Sequence, residues 1–135
     1  MYYIHVNKIY RYLYMSLGYD YCLKMVVVGE ASSGKTTMVN RLCGNDISNG
    51  YEPTIGVEFN SNVIRYKDYM IKIQYWDTAG DKCFAPIIKN YYKNIVGLYL
   101  VIDLCCRNSI RTLTYWFNEI FNNKSEEDIK IIVIG

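Results

Sequence analysis

Residues 29–36 read GEASSGKT, which satisfies G-x-x-x-x-G-K-[ST]. A loop with glycine near both ends can turn its backbone N–H groups inward around a polyphosphate. A helix opening at the end of that loop adds the positive end of its dipole. Lys35 supplies a point charge for the outer phosphates, and the Thr36 hydroxyl can ligate Mg²⁺. Gly29, Glu30, Ala31, Ser32, Ser33, Gly34, Lys35, Thr36 and Thr37 therefore form a candidate phosphate-binding set. The competing explanation is an ordinary Gly/Ser-rich turn. The apolar run before the motif and the helical pattern after it favour the phosphate loop.

A second candidate lies downstream in YWDTAGD, residues 75–81. Asp77 sits where a strand ends, and an acidic residue there can hold a Mg²⁺ shell, often through water. Gly80 offers a backbone N–H that can approach a terminal phosphate without a Cβ in the way. An aspartate at a strand end is otherwise a common turn former, so DTAG acquires meaning mainly from the phosphate loop upstream of it.

These residues need elements to hold them. Leu23–Val28 is a continuous apolar run ending at Gly29, which predicts a buried strand. Gly34 then opens a predicted helix carrying Met38, Val39 and Leu42. After a loop rich in Gly, Asn and Ser over 44–54, segments 56–66 and 69–76 alternate around Lys67-Asp68 and predict a hairpin. A loop at 77–84 precedes a helical stretch at 85–93, with Pro86 in its first turn. Residues 96–104 predict a second buried strand. Ser109 is placed to N-cap a helix over 109–121 with Ile110, Leu113, Phe117, Ile120 and Phe121 at helical spacing. Residues 131–134 predict a third buried strand. Buried strands alternating with helices mean an α/β domain with a mainly parallel sheet. Ligands in such sheets sit at the carboxyl ends of the strands, where both candidate motifs fall.

Composition excludes several classes. The 135 residues carry a net charge of +2, with 21% charged and 51% hydrophobic residues, so the chain can bury a core. The near-neutral balance argues against a nucleic-acid binder. No apolar stretch is long enough to span a membrane. The start lacks a signal-peptide h-region, so an intracellular, cytoplasmic location is expected. His5 is the sole histidine, which removes histidine-based catalysis and metal sites. The five cysteines have no metal-type spacing, and adjacent Cys105 and Cys106 are expected to be buried thiols. The 15 tyrosines are expected to reflect compositional drift. The sequon at 123–125 carries no meaning in a cytosolic protein.

Taken in order, GEASSGKT, YEPTIGVEF at 51–59, WDTAGDKCF at 76–84, YY at 91–92 and VIDL at 101–104 resemble the Ras-superfamily small GTPases, and within them the Rab family. The resemblance covers residues 19–135. It implies a P-loop NTPase fold, an α/β three-layer sandwich with a mainly parallel sheet, binding GTP/GDP with Mg²⁺. It implies nucleotide-binding roles for residues 29–37, Thr54, Asp77 and Gly80. Thr36, Thr54 and Asp77 would serve the metal, and Lys35, Thr54 and Asp81 would act in hydrolysis. Thr54 would reach Mg²⁺ and the γ-phosphate only in the triphosphate state. Phe59, Trp76 and Tyr91 match an aromatic trio read by effectors. The implied activity is a GTP/GDP switch in vesicle trafficking, with effectors, exchange factors and activating proteins as partners.

Three departures qualify that resemblance. Asp81 stands where the family carries a glutamine that orients the attacking water. An anion beside a γ-phosphate should hinder hydrolysis or swing into solvent, so slow turnover is expected. The sequence ends after IIVIG, where the family's guanine-reading Asn-Lys-x-Asp motif, a further strand and further helices would follow. The expectation is a partial domain over 19–135, with an exposed last strand and no lipidated cysteine for stable membrane anchoring. Residues 1–18 form an extension, and Met15 is an alternative start. A non-hydrolysing interaction module, or an inactive fragment presenting the same surfaces, is the alternative reading.

Overall fold

The computed structural model describes residues 18–47, 50, 52–123 and 129–135. The N-terminal extension up to residue 17, with His5 and Met15, lies outside the described residues, as do Tyr51 and positions 124 and 125 of the sequon. Five strands form one sheet in the order β2-β3-β1-β4-β5. They are β1 (Tyr21–Val28), β2 (Val57–Tyr66), β3 (Tyr69–Thr78), β4 (Gly97–Val101) and β5 (Lys130–Ile134). Every neighbouring pair is parallel except the β2–β3 hairpin. No helix among the described residues is long and apolar enough to cross a membrane.

The central strand shows why the sheet forms. Val26, Val27 and Val28 are fully buried, and β-branched residues suit a strand covered on both faces. On one face Met25, Val27, Tyr75 and Val101 meet Val39 of helix α1 (Lys35–Cys43). On the other, Val26, Val28, Leu98 and Leu100 pack with Ile88, Tyr92, Trp116 and Ile120. Those residues come from helix α2 (Ala85–Ile88), the 3₁₀ turn Lys89–Tyr92 and helix α4 (Leu113–Asn123). The result is the three-layer α/β arrangement expected from the alternating pattern.

Several boundaries differ from the sequence expectation. β3 continues through Asp77 to Thr78, because β1 pairs with it as far as Val27↔Asp77. The Thr78 hydroxyl also donates to the Val27 carbonyl at 2.7 Å. The helix expected at 85–93 tightens into a 3₁₀ turn after Ile88. Strand β4 stops at Val101 instead of reaching 104. There the chain turns on Asp103, whose carboxylate accepts from the Cys105 amide at 2.9 Å. Cys105 and Cys106 are consequently exposed, contrary to the expectation of buried thiols. Ser109 is not a helix cap either. Helix α3 (Arg107–Arg111) begins after Cys106, and Ser109 is buried inside it. The break before α4 falls at Thr112, whose hydroxyl bonds back to the Ser109 carbonyl at 3.1 Å, a local bond that competes with helix continuation.

The tyrosines are more than compositional drift. Tyr75 is 2% exposed and Tyr92 fully buried. Burial, with smaller contributions from Tyr99 and Cys43, pushes the Tyr75 phenol up to about 12. Burial raises Tyr92 further. Unfolded tyrosines ionise near pH ~10, so the unfolded chain releases these protons before the folded one. Their stabilising contribution is complete below pH ~10 and is lost as pH rises towards 12. Stability should fall there by about 1.4 kcal/mol per pH unit for each tyrosine. Urea midpoints measured between pH 9 and 11.5 check this, and Tyr75→Phe should flatten the slope.

Candidate functional site

The two motifs meet at the carboxyl ends of β1 and β3, beside the point where the chain reverses its direction of travel across the sheet. A cleft of about 760 Å³ opens there, lined by Ala31, Ser32, Gly34, Lys35, Thr36, Thr37, Thr54, Gly80 and Asp81 among others. Gly29 has φ 144°, and a Cβ at this position would lie 2.1 Å from the Val101 carbonyl oxygen. The loop can therefore leave β1 only through a glycine. Gly34 precedes α1 without any side-chain cap, which leaves first-turn N–H groups facing the cleft for an anion.

Lys35 is only 5% exposed. Its ammonium donates to the Glu30 carbonyl at 2.7 Å, arching across its own loop. Burial lowers its pKa, opposed by Asp77 and Glu30. Thr36 Oγ1 donates to Asp77 Oδ2 at 2.6 Å and lies 3.0 Å from Thr54 Oγ1. Residues from three separate segments thus converge on one hydroxyl. Asp77 is fully buried, and burial pushes its carboxyl up to about 6, with Glu58 adding and Thr36 and Lys35 opposing. Among the described residues its Oδ1 has no hydrogen-bond partner.

A buried carboxylate oxygen without a partner, next to two hydroxyls, is a hard-oxygen donor set that fits Mg²⁺. No cluster of three His, Cys, Asp or Glu side chains exists among the described residues. That too suits a cation which takes one carboxylate and completes its shell with hydroxyl, water and phosphate oxygens.

Gly80 brings the second motif against the first. A Cβ there would lie 2.2 Å from the Ala31 amide nitrogen. Asp81, next in sequence, is exposed and faces its own turn: its Oδ1 accepts from the Cys83 amide at 2.9 Å and caps the 3₁₀ turn Lys82–Phe84. That bond holds its carboxyl below the usual carboxylate range.

Not every member of the phosphate set faces the cleft. Gly29 backs onto Val101, and the Ser33 hydroxyl is buried without a partner among the described residues. The Glu30 carboxylate turns away and accepts from Trp116 Nε1 of α4 at 3.2 Å. Lys82 lies 4.4 Å from the ring centroid of Tyr115, the neighbour of Trp116. Sequence reasoning missed Trp116 and Tyr115, which tie both motif loops to α4. No spacing signal could have found them, because 86 residues separate Glu30 from Trp116.

The aromatic trio lies apart from the cleft. Phe59 and Trp76 are paired across the hairpin with ring centroids 4.9 Å apart, and Trp76 and Tyr91 are 5.1 Å apart. Phe59 is 48% exposed, so this row is a surface feature and not core.

Comparison with known proteins agrees with this geometry. The family model described as "Ras family" matches residues 24–135. The chain is 35% identical to Ras-related protein Rab-11B of Dictyostelium discoideum over 89% of its own length and 54% of that protein. It is 36% identical to human Ras-related protein Rab-30 over 85% of its length and 57% of that protein. It is 33% identical to Arabidopsis thaliana RABA1c over 87% and 54% respectively. The chain thus spans about half the length of the curated relatives it matches. A phosphate loop on β1, a carboxylate on β3 and a family match over both lead to one conclusion: the chain belongs to the Ras family.

Proposed function

We propose that this chain is a Rab-like small GTP-binding protein, a GTP/GDP switch in intracellular vesicle trafficking that hydrolyses GTP slowly. The observation that carries the reading is the convergence of Thr36, Thr54 and Asp77 on one point beside the buried Lys35. The 29–37 loop and the α1 N-terminus would hold the phosphates of GTP, and Lys35 would move its ammonium from the Glu30 carbonyl to the outer phosphates. Thr36, Thr54 and Asp77 would hold Mg²⁺, which when bound neutralises charge on the β- and γ-phosphates. Thr54 and Gly80 belong to two loops that touch the phosphate site from opposite sides. Loss of the γ-phosphate would release both, an order–disorder switch. Effectors, exchange factors and activating proteins would read those loops together with Phe59, Trp76 and Tyr91.

The test is direct. Purified full-length chain is denatured, its nucleotide extracted, and the base identified by ion-pair chromatography. Stoichiometric GDP or GTP supports the reading. Protein with no nucleotide, or with adenine nucleotide, overturns it.

Slow hydrolysis rests on Asp81. Its carboxylate is engaged with the Cys83 amide, and any turn towards the γ-phosphate would bring two anions together. Neither arrangement positions or polarises a water. Asp81→Gln should raise single-turnover hydrolysis of bound GTP about tenfold or more, since an oriented water and relief from repulsion both favour the transition state. An unchanged rate would show that Asp81 is not the limitation.

A further inference from the structure

One face of the sheet is covered over only part of its length. The strand register stacks its side chains in rows: Phe59, Trp76 and Val26, then Ser61, Gln74 and Lys24, then Val63, Lys72 and Cys22, then Arg65 with Met70. The first row meets α2, the 3₁₀ turn and α4 through Val26 and Trp76. The later rows have no helix above them. Val63 and Met70 are exposed hydrophobics, Ser61 and Arg65 are exposed, and Lys24 and Lys72 are half-buried. The opposite face of the same strands is covered by α1, where Asn62 donates to the Leu42 carbonyl.

The open lane has the dimensions of one helix. From Phe59 to Arg65 it runs about 20 Å at ~3.3 Å per residue, the length of about thirteen helical residues. Three strands at ~4.8 Å spacing make it about as wide as a helix with its side chains.

Its charge has one sign. Lys24, Lys72 and Arg65 all lie on it, and each is held by neutral groups. The Lys24 ammonium donates to the Lys93 carbonyl at 2.8 Å and sits 5.5 Å and 6.0 Å from the Trp76 and Tyr91 ring centroids. Lys72 lies over the Tyr19 ring at 5.3 Å, and Arg65 Nε donates to the Lys67 carbonyl. The neighbouring acid on β1's approach, Asp20, is occupied by the Met70 amide at 2.7 Å. The rows themselves contain no carboxylate among the described residues. Residues 1–17 carry Lys8 and Arg11 and no acid, so the chain's own N-terminal segment has the wrong charge to complement this lane.

We propose that this lane docks an acidic amphipathic helix of a protein partner, whose apolar side chains meet Trp76, Phe59, Val63 and Met70 and whose carboxylates meet Lys24, Lys72 and Arg65. The proposal rests on the partner-reading role given to the aromatic trio and extends it by naming the partner's charge and shape. A helix is the occupant that continues the layer already formed by α2 and α4. A rigid lane between covered rows and the hairpin tip gives it a defined width and direction.

The full chain is titrated with three helix-stabilised sixteen-residue peptides that share one leucine face and differ only in flanking residues, Glu, Gln or Lys. Two-dimensional NMR follows the Trp76 indole and the Val63 and Met70 amides, and bound nucleotide is measured in parallel. The Glu peptide should bind on this lane about tenfold tighter than the Gln peptide, as expected for three solvent-accessible ion pairs, and the Lys peptide weaker still. Its affinity should fall several-fold between 50 and 300 mM NaCl. The double variant K24E/K72E should reverse the peptide order while keeping its nucleotide, since neither residue lines the cleft. Equal affinity of all three peptides at Trp76 would overturn the acidic partner and leave the trio as a docking surface. No shift on the lane, in a protein that binds nucleotide normally, would overturn both. Charge-dependent binding to phosphatidylserine vesicles without Glu-peptide binding would assign the lane to a lipid surface and overturn the helix. Should the double variant misfold, a salt-independent wild-type affinity for the Glu peptide suffices to reject the proposal.

Discussion

Lys35→Met should weaken nucleotide binding at least about a hundredfold while leaving the nucleotide-free fold as stable as before. The first half follows from what the ammonium would meet. A charge-assisted bond to phosphate in a site that excludes water contributes about 1.5–3 kcal/mol, and loss of the whole charge removes its attraction for every outer phosphate oxygen. About 2.7 kcal/mol already corresponds to a hundredfold. The second half follows from what the ammonium does now. It is buried, its pKa is lowered by that burial, and its bond is to a carbonyl that also accepts from the Ser33 amide. Methionine keeps the volume of the stem and removes a buried charge, so no carbonyl is orphaned and a desolvation cost disappears. Asp77 loses a cation that opposed its elevated pKa and can take a proton near neutral pH. The cost of leaving it is therefore small. Thermal unfolding in the absence of nucleotide and equilibrium binding of a fluorescent GDP analogue separate the two effects. A large fall in nucleotide-free stability would mean that Lys35 is a structural residue first. Partner binding that survives Lys35→Met would favour a passive interaction module over a switch.

Gly29→Ala should lose most of the fold. A Cβ at Gly29 would lie 2.1 Å from Val101 O and 3.1 Å from Val101 C, with φ at 144°. The atom in the way belongs to β4 backbone in the middle of the sheet, so relief requires β1 and β4 to separate where Val28 pairs with Leu100. Backbone strain in this region costs of order 1–3 kcal/mol by itself. Parting buried strands adds enough to exceed ~4 kcal/mol, a large fraction of a typical domain's ~5–15 kcal/mol. Urea unfolding by circular dichroism should show either a strongly lowered midpoint or no native baseline. Gly80→Ala is the informative contrast. Its clash, 2.2 Å from the Ala31 amide, is between two loops at the cleft and not between strands. The Gly80 loop can withdraw, so that variant should fold and fail instead in its response to the γ-phosphate. Equal destabilisation by both substitutions would contradict this distinction.

Much of this molecule was legible from local patterns. The apolar run ending at Gly29, the hairpin around Lys67-Asp68 and the G-x-x-x-x-G-K-T motif are short-range signals: burial periodicity, turn chemistry and phosphate-loop spacing each act within a few residues. They determined the α/β class, the parallel core strands and the membership of the phosphate set by themselves. The boundaries that shifted did so because longer-range bonds overrode local preference. Thr78 joined β3 through the Val27 carbonyl, β4 ended where the Asp103 turn began, and Ser109 was buried inside a helix instead of capping one. What only the tertiary structure decided is which distant residues share a point in space. Asp77 reaches Thr36 because β3 lies parallel to β1 in that register. Glu30 finds Trp116 because α4 crosses the carboxyl end of the sheet. Lys24, Lys72 and Arg65 share an acid-free face because three strands bring every second residue to the same side. Sequence separation carries no information about such meetings. They are set by strand order and register, which emerge only when the whole core packs at once.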